Sequence, residues 1–251
     1  MISLILPAYN EVARIETTVR EAIAFFSAGG EAYEIIVAAD GTDGTREAVQ
    51  AMIATHPMLK VIGSPARRGK GIGIREAVAI ASGSIIGFSD ADNKTPITEY
   101  AKFAPVLAAG ADVVIGSRAL RESRIERPQP WYRRLGSLGF RLFMRTTVGL
   151  RGISDSQCGF KFFQGDVARD LFRRQQIDDY MFDVEILFLA QQRGYRIEQV
   201  PVRWRDDGDS RFNLVSGGIK DARDVLSVRW RHRRSAPDAD YARDAVSRSD
   251  G

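Results

Sequence analysis

The chain has a single cysteine and only two histidines, and it has no apolar run of about 18 residues. Each shortage removes a class of function. Cys158 alone cannot form an internal disulfide. His56 and His232 are far apart and lack cysteine partners, which argues against a zinc site. Without a long apolar run no spanning helix is expected. The opening text "MISLILPAYNE" has neither a basic leader nor a cleavage site, so no signal peptide is expected and the protein should stay in the cytoplasm. Carboxylates are left as the candidate metal ligands.

The sequence is 251 residues long, 44% hydrophobic and 27% charged, enough for one large globular domain with a full core. Its net charge of +4 hides a division along the chain. Residues 1–117 hold 10 Lys and Arg against 13 Asp and Glu, residues 118–174 hold 13 against 5, and residues 175–251 hold 13 against 14. A positive excess confined to one middle segment points to a localised anionic partner such as phosphate, a membrane surface or nucleic acid.

The first half alternates β-rich apolar runs ("SLILPA", "YEIIVAAD", "LKVIGSP", "SIIGFSD", "DVVIGSR") with segments of helical spacing, such as Val19, Ala22, Ile23 and Phe26. That alternation predicts an α/β fold with a mostly parallel sheet covered by helices on both faces. Ligands of such sheets lie beyond the carboxyl ends of the strands. The residues that end them, Tyr9, Asn10, Glu11, Asp40, Asp90 and Asp92, are therefore expected to form one acidic pocket. Further on, "FKFF" and "RIEQVPVRW" read as strands and "FDVEILFLAQQ" as a helix. Between them, residues 131–150 read as a helix with Arg134, Arg141 and Arg145 in one stripe and Leu135, Leu138 and Leu142 in the next. That composition suits either a membrane interface or a surface helix packed on the core. A basic helix carrying Val225, Leu226, Val228 and Trp230 follows, and the polar tail from Ser235 to Gly251 is expected to be disordered.

In "GSIIGFSDADNKTP", Asp90 and Asp92 leave a strand one residue apart, so both can face the same ligand. Two close carboxylates stay ionised most easily beside a divalent cation, and hard oxygen ligands suit Mg²⁺ or Mn²⁺ completed by diphosphate oxygens. The alternative is an Asx turn leading into a helix capped by Thr95 and Pro96. "RRGKGIG" fails both the P-loop spacing and G-x-G-x-x-G, so a P-loop ATPase and a dehydrogenase both lose ground. Gly69 and Lys70 remain candidates for contact with a nucleotide; a plain helix start is the other reading.

Taken in order, "LILPAYNE", "DGTDGT", "RGKGIGIREA", "DADN", "VIGSR", "ISDSQCGFKFF", "FDVEILFLAQ" and "GDSRF" resemble family 2 glycosyltransferases of the GT-A fold. Within these the resemblance is to the polyprenyl-phosphate hexosyltransferases, with the dolichyl-phosphate glucosyl branch nearer than the mannosyl branch. It covers about residues 2–234 and implies one GT-A domain over 1–234, with residues 119–150 as a basic acceptor and membrane-interface segment. It implies an inverting hexose transfer from a nucleotide sugar, UDP-glucose or alternatively GDP-mannose, to polyprenyl phosphate. It also implies peripheral attachment to the cytoplasmic face of a membrane.

The same resemblance implies residue roles. Pro7, Tyr9 and Glu11 would touch the nucleotide, and Asp40 would lie near its base. Asp90 and Asp92 match the D-x-D metal signature, Asp92 as the direct ligand. Arg118, Arg133 and Arg134 would hold the acceptor phosphate, with Gln157 and Lys161 lining the same site and Ser210 and Arg211 closing over it. Asp92, Arg118 and Arg134 would carry the catalytic effect, and Cys158 would be a packed small residue. The chain departs from the family text at Ala39, where an Asp is usual, and at "NKT" after the acidic pair. Two other functions fit the residues: a transferase with a hydroxyl acceptor, using Asp155 or Asp183 as base, and a non-catalytic anion-binding module.

Overall fold

A computed structural model of the chain describes residues 1–126, 147–205 and 218–232. The predicted segment 131–150 lies outside the described residues up to position 146, as do Arg133, Arg134, Ser210, Arg211 and the tail from Ser235 to Gly251.

The strands are β1 (Ile2–Tyr9), β2 (Tyr33–Asp40), β3 (Leu59–Ile62), β4 (Ile85–Ser89), β5 (Val113–Ser117), β6 (Arg124–Ile125), β7 (Phe160–Gln164), β8 (Ile197–Pro201) and β9 (Arg203–Trp204). The helices, in chain order, are α1 (Val12–Gly29), α2 (Thr45–Ile53), α3 (Lys70–Ile80), α4 (Tyr100–Ala108), α5 (Gly165–Arg174), α6 (Phe182–Gln192) and α7 (Gly218–Arg231). Seven strands form one sheet in the order β3-β2-β1-β4-β7-β5-β8, while β6 and β9 pair separately. The pairs β1–β2, β1–β4, β2–β3 and β5–β8 are parallel, as the alternating pattern predicts. "FKFF" is a strand too, but it runs antiparallel to both β4 and β5.

Strand residues of opposite parity feed two cores. Ile5, Ile36 and Phe88 pack with α3, α5 and α6 through Ile74, Ala77, Leu171, Phe172 and Leu187. Leu4, Leu6, Ile35 and Val37 pack on the other face with α1, α2 and α4 through Ile15, Val19, Val49, Phe103 and Leu107. A strand buried on both faces has no polar alternation, which is why "YEIIVAAD" reads as a continuous apolar run.

The sheet opens where the site lies. β1 stays paired with β2 as far as Tyr9 and Asp40, but its pairing with β4 ends at Ile5 and Phe88. Pro7, which has no N–H to donate, therefore sits beyond the last β4 partner and breaks no ladder on that side. The chains diverge at the carboxyl ends of β1 and β4, the crevice in which open α/β sheets place their ligands.

Glycines set the second wall. Gly69 has φ +119°, and a Cβ there would lie 2.2 Å from the Asp178 carbonyl oxygen. At Gly71 a Cβ would come within 2.6 Å of both the Gln175 amide and the Ile177 carbonyl. The alternating glycines of "GKGIG" thus let the start of α3 press against residues 175–178. Ile72 N–H donates to Asp178 O at 3.2 Å, and the Arg75 guanidinium pairs with the Asp178 carboxylate at 3.0 Å.

Candidate active site

The strand-end residues do converge, but the pocket is not acidic as expected, because each carboxylate carries its own cation. Asp40 is buried and accepts the Ser64 and Arg68 amides at 3.0 and 2.9 Å, while the Arg68 guanidinium lies 3.0 Å away. It fixes the turn over the end of β2. Asp90 pairs with Lys70 at 2.6 Å, and Asp92 pairs with Lys94 at 3.1 Å. Arg68 and Lys94 had no role in the sequence reading, although both stand in the motifs it quotes. Burial works against the charge of Lys70, but the Asp90 and Asp183 carboxylates, with Asp90 also hydrogen-bonded to it, together outweigh this and raise the ammonium above its ordinary range.

Two non-glycine residues with φ in the left-handed region among the described residues bracket this crevice: Asn10 at +54° after β1 and Asn93 at +55° after β4. Asn is among the side chains that tolerate this conformation, and such residues collect at ligand sites. The Asn10 side chain accepts the Thr42 amide at 3.3 Å and the Asn93 amide donates to Glu21 at 2.6 Å, so each turn is tied to a neighbour. Asp43 draws the third loop in by accepting from Val12 N–H at 3.0 Å and from the Thr45 hydroxyl at 2.6 Å. At the crevice rim the Arg67 guanidinium lies 4.8 Å over the Tyr9 ring. Glu11 N–H donates to the Thr45 hydroxyl at 3.0 Å.

Asp90 and Asp92 offer hard oxygens on one strand end, with side chains 41% and 22% exposed. No group of three or more His, Cys, Asp or Glu converges among the described residues. The donor set is therefore two carboxylates, which fits Mg²⁺ or Mn²⁺ sharing a substrate's phosphate oxygens rather than a closed protein cage. The turn toward "KTP" coexists with this: Asp92 accepts the Lys94 amide at 3.2 Å, and Pro96 precedes a short 3₁₀ turn, Ile97–Glu99, that leads into α4.

A second cluster adjoins the first. Asp90 N–H donates to Gly159 O at 3.0 Å, which brings the "SDSQCGF" loop against the end of β4. In that loop Asp155 grips Arg118, at the end of β5, through Nε at 2.7 Å and Nη2 at 2.9 Å, and also accepts the Arg118 amide at 3.0 Å. The guanidinium lies 5.4 Å over the Trp204 ring. Beside it, Gln157 Nε2 is a buried donor with no hydrogen-bond partner among the described residues. Burial alone would push the Asp155 carboxyl up; the adjacent Arg118 overcomes this and holds it at about 2. A carboxylate so acidic is a clamp for Arg118 and a poor proton acceptor. Asp183 differs: burial raises its carboxyl pKa, but it is sealed in the interior, 2.5 Å from the Lys161 ammonium.

Lys161 has no exposed surface, and its Nζ donates to Cys158 O at 2.7 Å as well as to Asp183. It fixes the loop from below and presents no surface to a ligand. Cys158 is also buried, and burial pushes its thiol up to about 12, which suits the packing role read from the sequence.

The Arg118–Asp155 pair carries a prediction. The folded-state pKa of Asp155 lies below its ordinary 3.8. Its contribution to stability is therefore complete above about pH 4 and vanishes as the pH falls through about 2; that window corresponds to roughly 2 kcal/mol. Asp155→Asn should unfold at lower urea at pH 7 and then lose less stability than the parent between pH 4 and pH 2. Identical acid limbs in urea melts of the two proteins would contradict the pairing.

The chain is similar to several known proteins. A dolichyl-phosphate beta-glucosyltransferase of Trichomonas vaginalis is 33% identical to the chain over 237 residues, covering 90% of this chain and 70% of the relative. The Drosophila melanogaster protein of that name is 32% identical, with coverages of 90% and 74%. Among solved structures, glucosyl-3-phosphoglycerate synthase of M. tuberculosis superposes with a TM-score of 0.66 at 23% identity, covering 95% of this chain and 82% of that one. Mannosyl-3-phosphoglycerate synthase from Rubrobacter xylanophilus gives the same TM-score at 18% identity, with coverages of 94% and 75%. At these identities the two structures speak for the GT-A fold alone. The sequence profile of glycosyl transferase family 2 matches residues 3–172, the span that holds Asp40, Asp90, Asp92, Arg118 and Asp155, and the chain belongs to that family.

Proposed function

We propose that the chain transfers glucose, with inversion, from UDP-glucose to the phosphate of a polyprenyl or dolichyl phosphate. The observation that carries this reading is the junction of two sites across one backbone hydrogen bond. The acidic end of β4 is tied through Asp90 and Gly159 to a loop whose Asp155 presents Arg118. Relatives named dolichyl-phosphate beta-glucosyltransferase, at about 30% identity over nine-tenths of the chain, support the same sugar and acceptor.

The donor's nucleotide fits the crevice between Pro7, Tyr9 and Glu11 on one side and the turn fixed by Asp40 and Arg68 on the other, with Gly69 and Lys70 at its phosphate end. Mg²⁺ or Mn²⁺, held by Asp90 and Asp92, would supply neutralisation of the charge that develops on the diphosphate leaving group. Arg118, its fork fixed by Asp155, and the Gln157 amide then place the acceptor phosphate. Arg133, Arg134, Ser210 and Arg211 complete that role in this reading. A phosphate is already anionic at neutral pH, so attack on the anomeric carbon needs no base. This agrees with the clamping of Asp155 on Arg118 and the sealing of Asp183 in the interior, which takes both candidate bases for a hydroxyl acceptor out of use.

Attachment to the cytoplasmic face of a membrane belongs to the same proposal. No described helix is long and apolar enough to cross a bilayer. On α7, however, Leu226 and Trp230 are 60% and 76% exposed, with Arg223 and Arg229 exposed beside them. An aromatic and aliphatic stripe flanked by arginines suits an anionic bilayer surface.

The acceptor assignment is tested by supplying polyprenyl phosphate and free polyprenol in parallel. Sugar should appear only on the phosphate; transfer to the free alcohol would overturn the assignment. Arg118→Lys keeps the charge and loses the fork, and is expected to raise the acceptor KM about tenfold while leaving the donor KM within about twofold. An equal rise in both would remove Arg118 from the acceptor site.

A further inference from the structure

Asp90 and Asp92 each have an ammonium within ion-pair distance, Lys70 Nζ at 2.6 Å and Lys94 Nζ at 3.1 Å. The four side chains sum to zero charge. The flanking pairs, Lys161 with Asp183 and Arg118 with Asp155, are neutral as well. A divalent ion arriving alone would therefore bring two uncompensated positive charges and would have to compete with two ammonium groups already in place. An ion arriving with a nucleotide sugar, whose diphosphate diester is a dianion, brings no net charge, and with a free nucleoside diphosphate it brings at most a net negative one; in both cases the phosphate oxygens offer the lysines new partners. Lysine suits such an exchange, being a compact charge on a flexible four-carbon stem. The rings of Phe88 and Phe182 lie 5.8 and 5.6 Å from Lys70 Nζ and give it an apolar-walled seat within the pocket.

We propose that Lys70 and Lys94 are exchangeable counter-cations of the metal pair: they hold Asp90 and Asp92 while the donor is absent and move to its diphosphate when the donor binds. Divalent-ion binding is then conditional on the nucleotide. The inference rests on the reading of the β4 end as the donor site and adds the order in which that site fills. It gives Lys94, which follows the acidic pair at a position where the chain departs from the family text, a specific task.

The test is a titration of the full chain with Mn²⁺, with free ion read by electron paramagnetic resonance, in buffer alone and with UDP or GDP. The unaltered protein should bind Mn²⁺ at least about tenfold more tightly with one of the nucleotides than without either. Lys94→Met and, separately, Lys70→Met should tighten binding of Mn²⁺ alone by about tenfold and shrink the nucleotide's effect. Both lysines are half-buried, and either variant carries the test if the other fails to fold. Equal affinity with and without nucleotide in the unaltered protein, or lysine variants that bind Mn²⁺ alone no more tightly, would overturn the proposal. Occupancy is read without turnover, so a missing lipid product would count against the acceptor assignment and not against the exchange.

Discussion

Asp92→Ala is expected to lower hexose transfer by at least about a thousandfold while leaving the melting temperature close to that of the parent. In the proposed function the substitution removes one of the two hard oxygens that would hold the metal at the leaving group; single electrostatic contributions of that kind are worth roughly 10²–10³ or more. The small effect on stability follows from position. Asp92 lies beyond the end of β4, its carboxylate is spent on the Lys94 side chain and amide, and it has no part in the sheet ladder. Parallel measurement of turnover and thermal unfolding checks both halves. Transfer within tenfold of the parent would remove the metal from the account.

Gly159→Ala should also be damaging, though less so, by a steric route. A Cβ at Gly159 would lie 1.9 Å from Asp90 Oδ2 and 2.3 Å from Cγ. The two residues cannot move apart freely, because Asp90 N–H is bonded to Gly159 O and both lie on the paired strands β4 and β7 or next to them. The Asp90 carboxylate must swing away, and a displacement of about 1 Å at a reacting centre costs about 100-fold in rate. The stability cost should be smaller, about 1–3 kcal/mol, as for other overpacked sites. Gly29→Ala is the control, since nothing lies within 4 Å of a Cβ there. Kinetics and melts of both variants decide the matter; an active Gly159→Ala enzyme would mean that Asp90 need not hold its place.

Much of this architecture is legible in the sequence, because βαβ alternation is a local pattern of apolar spacing. "FDVEILFLAQQ" is the helix it reads as, and the five early strands all form. The direction of β7 is not legible, since an apolar tetrapeptide carries no sign of whether its neighbours run with or against it. In the site, Asp90, Asp92 and Arg118 are visible as motifs, but the partners of Asp90 and Arg118 come from distant segments, and only that of Asp92, Lys94, is its near neighbour in sequence. Asp155 is 37 residues from the arginine that it clamps. For Lys161, motif position suggested a ligand contact, whereas the fold seals it against Asp183 in the interior. Its burial depends on α6, which lies beyond the motif that contains Lys161. The expected acidic pocket is balanced by Arg68, Lys70 and Lys94; the first two come from a segment remote in sequence from Asp40 and Asp90, and the third pairs with its near neighbour Asp92.

The most direct test of the central claim is to incubate the purified chain with Mg²⁺, polyprenyl phosphate and radiolabelled UDP-glucose, with radiolabelled GDP-mannose in parallel. The label in the organic phase is counted and the anomeric configuration of the product determined. The account predicts lipid-linked label from UDP-glucose, of inverted configuration and lost with Asp92→Ala. Label from GDP-mannose alone, or retained configuration, or no lipid-linked label from either donor in a protein that binds UDP, would contradict it.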